Sequence, residues 1–174
     1  MSSKFNSLFL CMACVLFLMA AQSPSAAARR FLGVNPWCRT SSHKRLCTQM
    51  AKGAATWHDA SSNAMQATLE LAKRIQSMSG VLIKPAIASL EPQSRQSVLA
   101  SCAEDFDIMI SDLEDSIKAL EVNDMGTLTV HLSAAYSTDC SDALAEFGIE
   151  DPFAKVSGVY LKMVDNCLAV VQQI

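Results

Sequence analysis

The sequence predicts an all-α protein, arranged as an antiparallel four-helix bundle. Apolar residues recur every three or four positions over long stretches, which is the period of a helix buried on one face, and no stretch alternates as a β-strand does. Prolines and glycines are grouped at a few places, so they divide the body of the chain into four long segments. Long helices with short connections favour an up-down bundle.

Residues 1–28 have the pattern of a secretory signal peptide. Lys4 supplies a positive charge, an uncharged apolar stretch follows at residues 8–21, and small residues precede an expected cleavage before Arg29. The apolar stretch is shorter than the roughly 20 residues that a membrane-spanning helix needs. The mature chain is therefore expected to be residues 29–174, which is enough for one domain with one core.

The first long helix is expected over residues 52–79. Gly80 and Pro85 are expected to break or kink it, which leaves residues 81–90 as a connection with some helical content. Its apolar side carries Trp57, Ala60, Ala64, Ala67, Leu71, Ile75 and Met78. This side is expected to face the core.

The second helix has the clearest amphipathic pattern in the sequence. It is expected to start at Pro92, since proline is tolerated in a first turn, and to run to about Leu120. Its apolar stripe consists of Val98, Leu99, Cys102, Phe106, Met109, Leu113, Ile117 and Leu120. Its opposite face carries Glu104, Asp105, Asp112, Glu114 and Asp115.

Capping residues mark the last two helices. Asp124 is a candidate N-cap for a third helix that runs to about Phe147 and ends at Gly148. Asp151 and Pro152 suit the N-cap and first position of a fourth helix. The residues expected to be buried are Leu128, Leu132, Ala135, Leu144 and Phe147 in the third helix, and Phe153, Val156, Tyr160, Met163, Cys167 and Val170 in the fourth.

Charge is unevenly distributed along the chain. Residues 29–95 contain ten Lys and Arg against three Asp and Glu, whereas residues 96–174 contain three against fourteen. The basic residues are dispersed, which argues against a nucleic-acid-binding surface. Glu104, Asp105 and Asp112 lie away from the apolar stripe of the second helix, and we expect this acidic face to meet a protein partner. The alternative is that these acids form a solvated face without a role in binding.

No catalytic or metal-binding constellation occurs in the sequence. The three histidines are scattered, and the adjacent His58 and Asp59 would point in different directions on a helix. Motifs for nucleophilic catalysis, zinc proteases and phosphate loops are absent, and the cysteine spacings are not those of zinc sites. We therefore expect no catalytic residue, no metal and no cofactor, and a function that rests on binding.

The cysteines predict disulfides. Two of the seven, Cys11 and Cys14, fall in the signal peptide, so five remain in the mature chain. An oxidising compartment favours pairing, and an odd number leaves one thiol over. Cys38 and Cys47 would be about 13.5 Å apart in a continuous helix, which is too far to bond, so a bond between them requires the chain to fold back.

The remaining three cysteines can be compared by their heights along the predicted helices. Cys102 and Cys140 each lie nineteen residues from the expected turn at Glu121. In antiparallel helices both would therefore be about 28 Å from that turn, and equal height is a precondition for a disulfide. Cys140 and Cys167 differ in height by about 12 Å. This mismatch leaves Cys167 as the free thiol, on the buried stripe of the fourth helix.

Four segments together carry a resemblance to a known family. Residues 38–47 contain a close N-terminal cysteine pair, and in residues 101–120 a cysteine precedes an acidic-aromatic cluster and an amphipathic run. Residues 132–140 end in the fourth mature cysteine, and residues 166–171 lie in the closing helix. In these segments the chain resembles the plant invertase and pectin methylesterase inhibitor family.

The resemblance implies a four-helix bundle with an N-terminal disulfide-linked helical hairpin, and disulfides Cys38–Cys47 and Cys102–Cys140. It also implies a secreted, apoplastic or vacuolar protein that docks on a carbohydrate-active enzyme and blocks its active-site cleft. Pectin methylesterase is the first expected partner, and acid invertase is the alternative. Asp139 stands where many family members have threonine, so the region around the fourth cysteine departs from the family pattern.

The alternative from another functional class is a secreted bundle that carries a small apolar ligand or acts as a signal. The methionines on the apolar stripes are compatible with it, although core packing is their usual role. A large continuous apolar cavity between the helices would favour a carrier. A packed core with polar outer faces would favour the inhibitor.

Overall fold

The computed structural model describes residues 33–173, and the signal peptide expected over residues 1–28 lies outside the described residues. Within this range the chain forms a 3-10 turn and six α-helices and has no β-strand. The elements are the 3-10 turn Pro36–Cys38, α1 Lys44–Met50, α2 Trp57–Ala86, α3 Pro92–Glu121, α4 Met125–Ala134, α5 Asp139–Glu146 and α6 Ala154–Val171. The prediction of an all-α fold is confirmed.

Four helical segments form the bundle, namely α2, α3, the pair α4 and α5, and α6. Helix α3 packs on α2, α4 and α5, while α6 packs on α2 and α4. The core between them includes the buried side chains of Met65, Ile75, Ile83, Leu113, Leu120, Leu128, Leu132, Leu144, Phe153 and Tyr160. Met78 and Phe147, which were expected on buried stripes, are instead 39% and 38% exposed. The prediction of a four-helix bundle is confirmed.

None of the described helices combines the length and the apolar character needed to cross a membrane.

Helix α2 starts later than the sequence predicts. Lys52 and Gly53 have positive φ angles of 49° and 75°, so the predicted start at residue 52 is a turn instead. Thr56 caps the helix, because its hydroxyl oxygen accepts the Asp59 N–H at 3.1 Å. The same hydroxyl donates to the Asp59 carboxylate at 2.7 Å, which fixes the first turn from both sides.

The predicted helix end near Ser79 is wrong, because α2 continues through Gly80 to Ala86 without a break. A glycine inside a helix costs only about 1 kcal/mol relative to alanine. Ile75 and Ile83, which are buried on either side of Gly80, hold the helix in the core. Pro85 lies in the last turn, where its missing N–H removes a single helical hydrogen bond just before the helix ends.

The predicted third helix is two helices, α4 and α5, separated by residues 135–138. In a continuous helix the Ala135 carbonyl would accept the N–H four residues later, and the Cys140 N–H would donate one turn back. Instead, the Tyr160 hydroxyl donates to the Ala135 carbonyl at 2.7 Å, and the Asp105 carboxylate accepts the Cys140 N–H at 3.1 Å. Side chains from other helices therefore satisfy the backbone groups that the break exposes.

The ends of α4 and α5 follow the sequence signals. Asp124 caps α4 as predicted, since its carboxylate accepts the Thr127 N–H at 3.0 Å. Gly148 has a φ of 67° and follows α5, while the Ile149 N–H donates to the Leu144 carbonyl at 3.0 Å. This pattern ends a helix at a residue with positive φ, a conformation that glycine adopts without steric cost.

Helix α6 starts later than predicted. Asp151 and Pro152 lie in a turn, and Ala154 is the first helical residue. The Asp151 carboxylate accepts the Phe153 N–H at 2.7 Å and the Ser141 hydroxyl at 3.0 Å. Asp151 thus fixes the turn and joins it to α5, rather than capping α6.

The N-terminal hairpin consists of the 3-10 turn and α1, and it packs on α6. Cys38 and Cys47 are joined by a disulfide with Cα atoms 5.7 Å apart, as the family resemblance implies. Asn166 of α6 is fully buried beneath the hairpin. Its side chain accepts a hydrogen bond from the Ser41 hydroxyl and donates to the Met50 sulfur at 3.4 Å. A disulfide and a buried polar network therefore fix the hairpin on α6.

Candidate docking site

A ladder of contacts joins one side of α3 to α4 and α5. The rungs are the disulfide Cys102–Cys140 and the hydrogen-bonded pairs Asp105–Cys140, Asp112–His131 and Ser116–Leu128. Residue numbers that rise along α3 pair with numbers that fall along α4 and α5, which is the order that two antiparallel helices require. This side of α3 is therefore an interface inside the bundle, and it uses polar side chains.

Asp105 does not lie on an exposed acidic face, contrary to the sequence analysis. It is only 3% exposed, because it lies between α3 and the start of α5. Its Oδ2 accepts the Cys140 N–H at 3.1 Å, which is one of the free N–H groups in the first turn of α5. A carboxylate at this position is also favoured by the helix dipole. Asp105 is thus a structural cap, and it is not available to a partner in this structure.

Asp112 is likewise directed into the bundle. Its carboxylate lies 2.7 Å from Nδ1 of His131 in α4, and only 15% of its side chain is exposed. The predicted partner-facing set of Glu104, Asp105 and Asp112 is therefore corrected, since only Glu104 is exposed. Glu104 thus lies on a different face of α3 from Asp105 and Asp112.

Glu104 borders an acidic groove between α3 and α5. The groove has a volume of about 390 Å³ and is lined by Ser101, Glu104, Asp105, Ile108, Asp139, Asp142, Ala143 and Glu146. Four of these five carboxylates are exposed, and no lysine or arginine lines the groove. Asp139, Asp142 and Glu146 are not in the predicted partner-facing set, because the predicted third helix does not separate α5 from α4.

The buried Asp105 carboxylate adds to the negative character of this acidic groove. Its second oxygen, Oδ1, has no hydrogen-bond partner among the described residues. Because Asp105 is buried, a partner would meet the four exposed carboxylates of the groove instead. These carboxylates suit the groove to a cationic side chain of a protein partner.

A smaller cleft lies where residues 135–138 interrupt the helical path. It has a volume of about 240 Å³, and its lining includes Phe106, Met109, Phe153, Tyr160 and Leu161. The rings of Phe106 and Phe153 meet edge to face, with centroids 5.6 Å apart. Pockets for drug-sized ligands usually span about 300–1,000 Å³. The cleft is thus smaller than the cavity that the carrier hypothesis requires.

Cys167 lies inside the bundle on α6. It is fully buried, and within the described residues it is the cysteine without a disulfide. Its sulfur is 3.3 Å from the Thr68 hydroxyl oxygen of α2. Burial raises the pKa of the thiol from its ordinary value of 9.0 to about 12, because the charged thiolate would lose its hydration.

We expect Cys167 to resist a thiol reagent in the native protein at pH 8 and to react fully after denaturation, since burial suppresses the thiolate. Because the thiol pKa is raised in the folded state, the unfolded state loses this proton first. The free energy of unfolding should therefore decrease as the pH rises from about 9 to about 12. Labelling with and without denaturant, followed by mass spectrometry, measures the reactivity of the thiol, and denaturation at several pH values measures the free energy of unfolding. Rapid native labelling would show that the thiol is accessible.

His58 and Asp59 form no site together. Both are exposed in the first turn of α2, and Asp59 is bound to the Thr56 cap. Among residues 33–173 no group of three or more His, Cys, Asp or Glu is placed to hold a metal ion.

The structure shows a disulfide-bonded helical bundle with an acidic groove on its surface. The family model described as plant invertase/pectin methylesterase inhibitor matches residues 33–170, and the chain belongs to this family. This match confirms the family resemblance found in the sequence. Members of the family are enzyme inhibitors rather than enzymes.

A solved structure shares the fold. The crystal structure of a mutant form of a pectin methylesterase inhibitor from Arabidopsis aligns with a TM-score of 0.63 and 15% sequence identity, covering 79% of this chain and 93% of that chain. No curated protein sequence matches the chain significantly.

Proposed function

We propose that the protein is secreted to the apoplast or cell wall and inhibits pectin methylesterase by stoichiometric binding that blocks the active-site cleft. The family match over residues 33–170 carries this proposal, because it covers nearly all of the described chain. The apolar stretch at residues 8–21, with its signal-peptide pattern, supports export. The two disulfides of the described chain suit an oxidising compartment.

The family description names invertase as well as pectin methylesterase, so acid invertase is the second candidate partner. A vacuolar location would go with a vacuolar invertase. We do not propose a carrier of apolar ligands. Its defining feature would be a large cavity, and the apolar cleft described above has a volume of only about 240 Å³.

The acidic groove is the docking surface that we propose. Glu104, Asp139, Asp142 and Glu146 present exposed carboxylates from two helices that the Cys102–Cys140 disulfide holds together. Charge complementarity of this kind acts mainly on the association rate, and it weakens with salt because exposed charges are screened beyond about 8–10 Å.

To test the proposal, the purified secreted protein should be titrated against a pectin methylesterase and an acid invertase at apoplastic pH. We expect inhibition of pectin methylesterase that saturates at one inhibitor per enzyme. Inhibition of invertase alone would make invertase the partner. If neither enzyme is inhibited by a folded, fully oxidised protein, the proposed function is wrong.

A charge-reversal pair tests the docking surface in the same assay. Glu104→Lys/Glu146→Lys should lower the association rate on the order of ten-fold at low salt. Glu70→Lys/Glu121→Lys is the matched control. It makes the same charge change at one mid-helix and one helix-end position outside the groove. Equal association rates for the two variants would remove the acidic groove from the interface.

A further inference from the structure

A second groove of opposite charge lies between the N-terminal hairpin and α6. It has a volume of about 490 Å³ and is open to solvent. Its lining consists of Ser42, His43, Lys44, Arg45, Leu46, Gln49 and Lys162. Two permanent cations come from α1 and one comes from α6, more than a hundred residues later in the chain. We refer to it as the basic groove.

The fold holds these cations in a defined arrangement. Lys162 and Asn166 are four residues apart on α6, so their side chains leave the same face of the helix. Asn166 is buried in the network that anchors the hairpin, and its partners are Ser41, which precedes α1, and Met50, which ends it. The face of α6 that carries the hairpin therefore also directs Lys162 towards α1. In α1, the Cys47 disulfide restrains the backbone.

The charges of the basic groove are not neutralised by the described part of the protein. The ion pairs among residues 33–173 do not include Lys44, Arg45 or Lys162, and no Asp or Glu lines the groove. All three side chains are exposed. The whole chain has a net charge of −3, so an uncompensated cluster of cations is a local feature and not a consequence of composition.

We infer that the basic groove binds the carboxylates of an acidic polysaccharide. Arginine binds a carboxylate through two parallel hydrogen bonds, and lysine adds a mobile positive charge. Ser42 and Gln49 offer hydrogen bonds to sugar hydroxyls, and the half-buried Leu46 offers an apolar surface to a sugar ring. No Phe, Tyr or Trp lines the groove, whereas proteins that bind single-stranded nucleic acids commonly stack the bases on such rings.

The identity of the polymer follows from the proposed function, on which this inference rests. Hydrolysis of the methyl esters of pectin converts each ester into a carboxylate and releases methanol. The product is therefore a polymer of uronic acids with regularly spaced negative charges. An inhibitor that also binds this product would be retained at the places where the esterase has already acted. The basic groove and the acidic groove are lined by entirely different residues, so the two bindings use separate surfaces.

Binding of the purified secreted protein to polygalacturonate, without any enzyme present, tests the inference. We expect saturable binding at low salt that is lost when the polymer is fully methyl-esterified, because the carboxylates are then neutral. Lys44→Gln/Arg45→Gln/Lys162→Gln should weaken the binding about ten-fold, given the modest contribution of each exposed charge. All three positions are exposed, so circular dichroism of the variant should be unchanged.

The matched control is Arg74→Gln/Lys84→Gln/Lys155→Gln. It removes one arginine and two lysines from exposed positions on α2 and α6, none of which is in an ion pair among the described residues, and it changes the net charge by the same amount. Equal loss of binding in the two variants would show a general charge effect and overturn the inference. Equal binding of dextran sulfate and polygalacturonate, or absence of binding by the unaltered protein, would also overturn it. Inhibition of the esterase is measured separately, so its failure is distinguishable from failure of the groove.

Discussion

Replacing Cys102 and Cys140 together by alanine should lower the free energy of unfolding by about 4 kcal/mol, because a closed loop with a sequence separation of 38 residues restricts the unfolded chain. The corresponding Cys38→Ala/Cys47→Ala variant should lose about 3 kcal/mol, since its loop has a sequence separation of only 9. Urea denaturation of the three proteins at neutral pH measures both losses. Paired replacement avoids a new thiol that could exchange with Cys167.

The order of the two losses is the informative result. The Cys102–Cys140 bond also joins α3 to the start of α5. Its removal should therefore also weaken the packing of α5 on α3 beneath the acidic groove. If the Cys38–Cys47 variant loses more stability, the closed-loop account is wrong for this protein. In that case the anchoring of the hairpin on α6 would dominate. Unaltered protein in reductant provides the control in which both bonds are open.

The helices with a regular apolar stripe could be predicted from the sequence. The predicted bounds of α3 agree with Pro92–Glu121 to within one residue, because a first-turn proline and a continuous stripe mark it. The break between α4 and α5 could not be predicted in this way. Its backbone groups are satisfied by Tyr160 and Asp105, which come from other helices. Sequence periodicity carries no information on such tertiary hydrogen bonds.

The pairing of Cys102 with Cys140 was expected from equal height along two uninterrupted helices. That premise is wrong, since residues 135–138 interrupt the second helix. The structure nevertheless joins these cysteines, because α5 continues the antiparallel order that α4 sets. The Asp112–His131 contact, which lies closer to the turn, follows the same order. The antiparallel order is kept across the interruption because contacts on both sides of it hold α4 and α5 against α3.

The helical spacing of Asp105 in the sequence indicates burial, whereas its charge indicates exposure. Asp105 lies three residues after Cys102 and four before Met109, so it has the spacing of a residue on the core side of α3. Residues at helical spacing further along this side, Ser116 and Ala119, are also buried. The charge of Asp105 indicates exposure, although a buried carboxylate is tolerated where it caps a neighbouring helix.

Lysine at position 105 should therefore destabilise the protein strongly, whereas lysine at the adjacent position 104 should not. Asp105→Lys removes the acceptor for the Cys140 N–H and places a cation between α3 and the first turn of α5. We expect a loss of about 3–5 kcal/mol, as for other uncompensated buried charges. Glu104→Lys is exposed and should change the free energy of unfolding by about 0.5 kcal/mol or less.

Chemical denaturation of both variants measures the difference. Asp105→Asn is the third member of the series and remains useful if Asp105→Lys does not fold. An asparagine side chain keeps the shape and an oxygen that can accept the Cys140 N–H, so its loss should be about 1–2 kcal/mol, the size of a weakened helix cap. Equal stability of the two lysine variants would mean that Asp105 lies on an open face of α3. The acidic docking surface would then extend along that helix, as the charge pattern alone indicated.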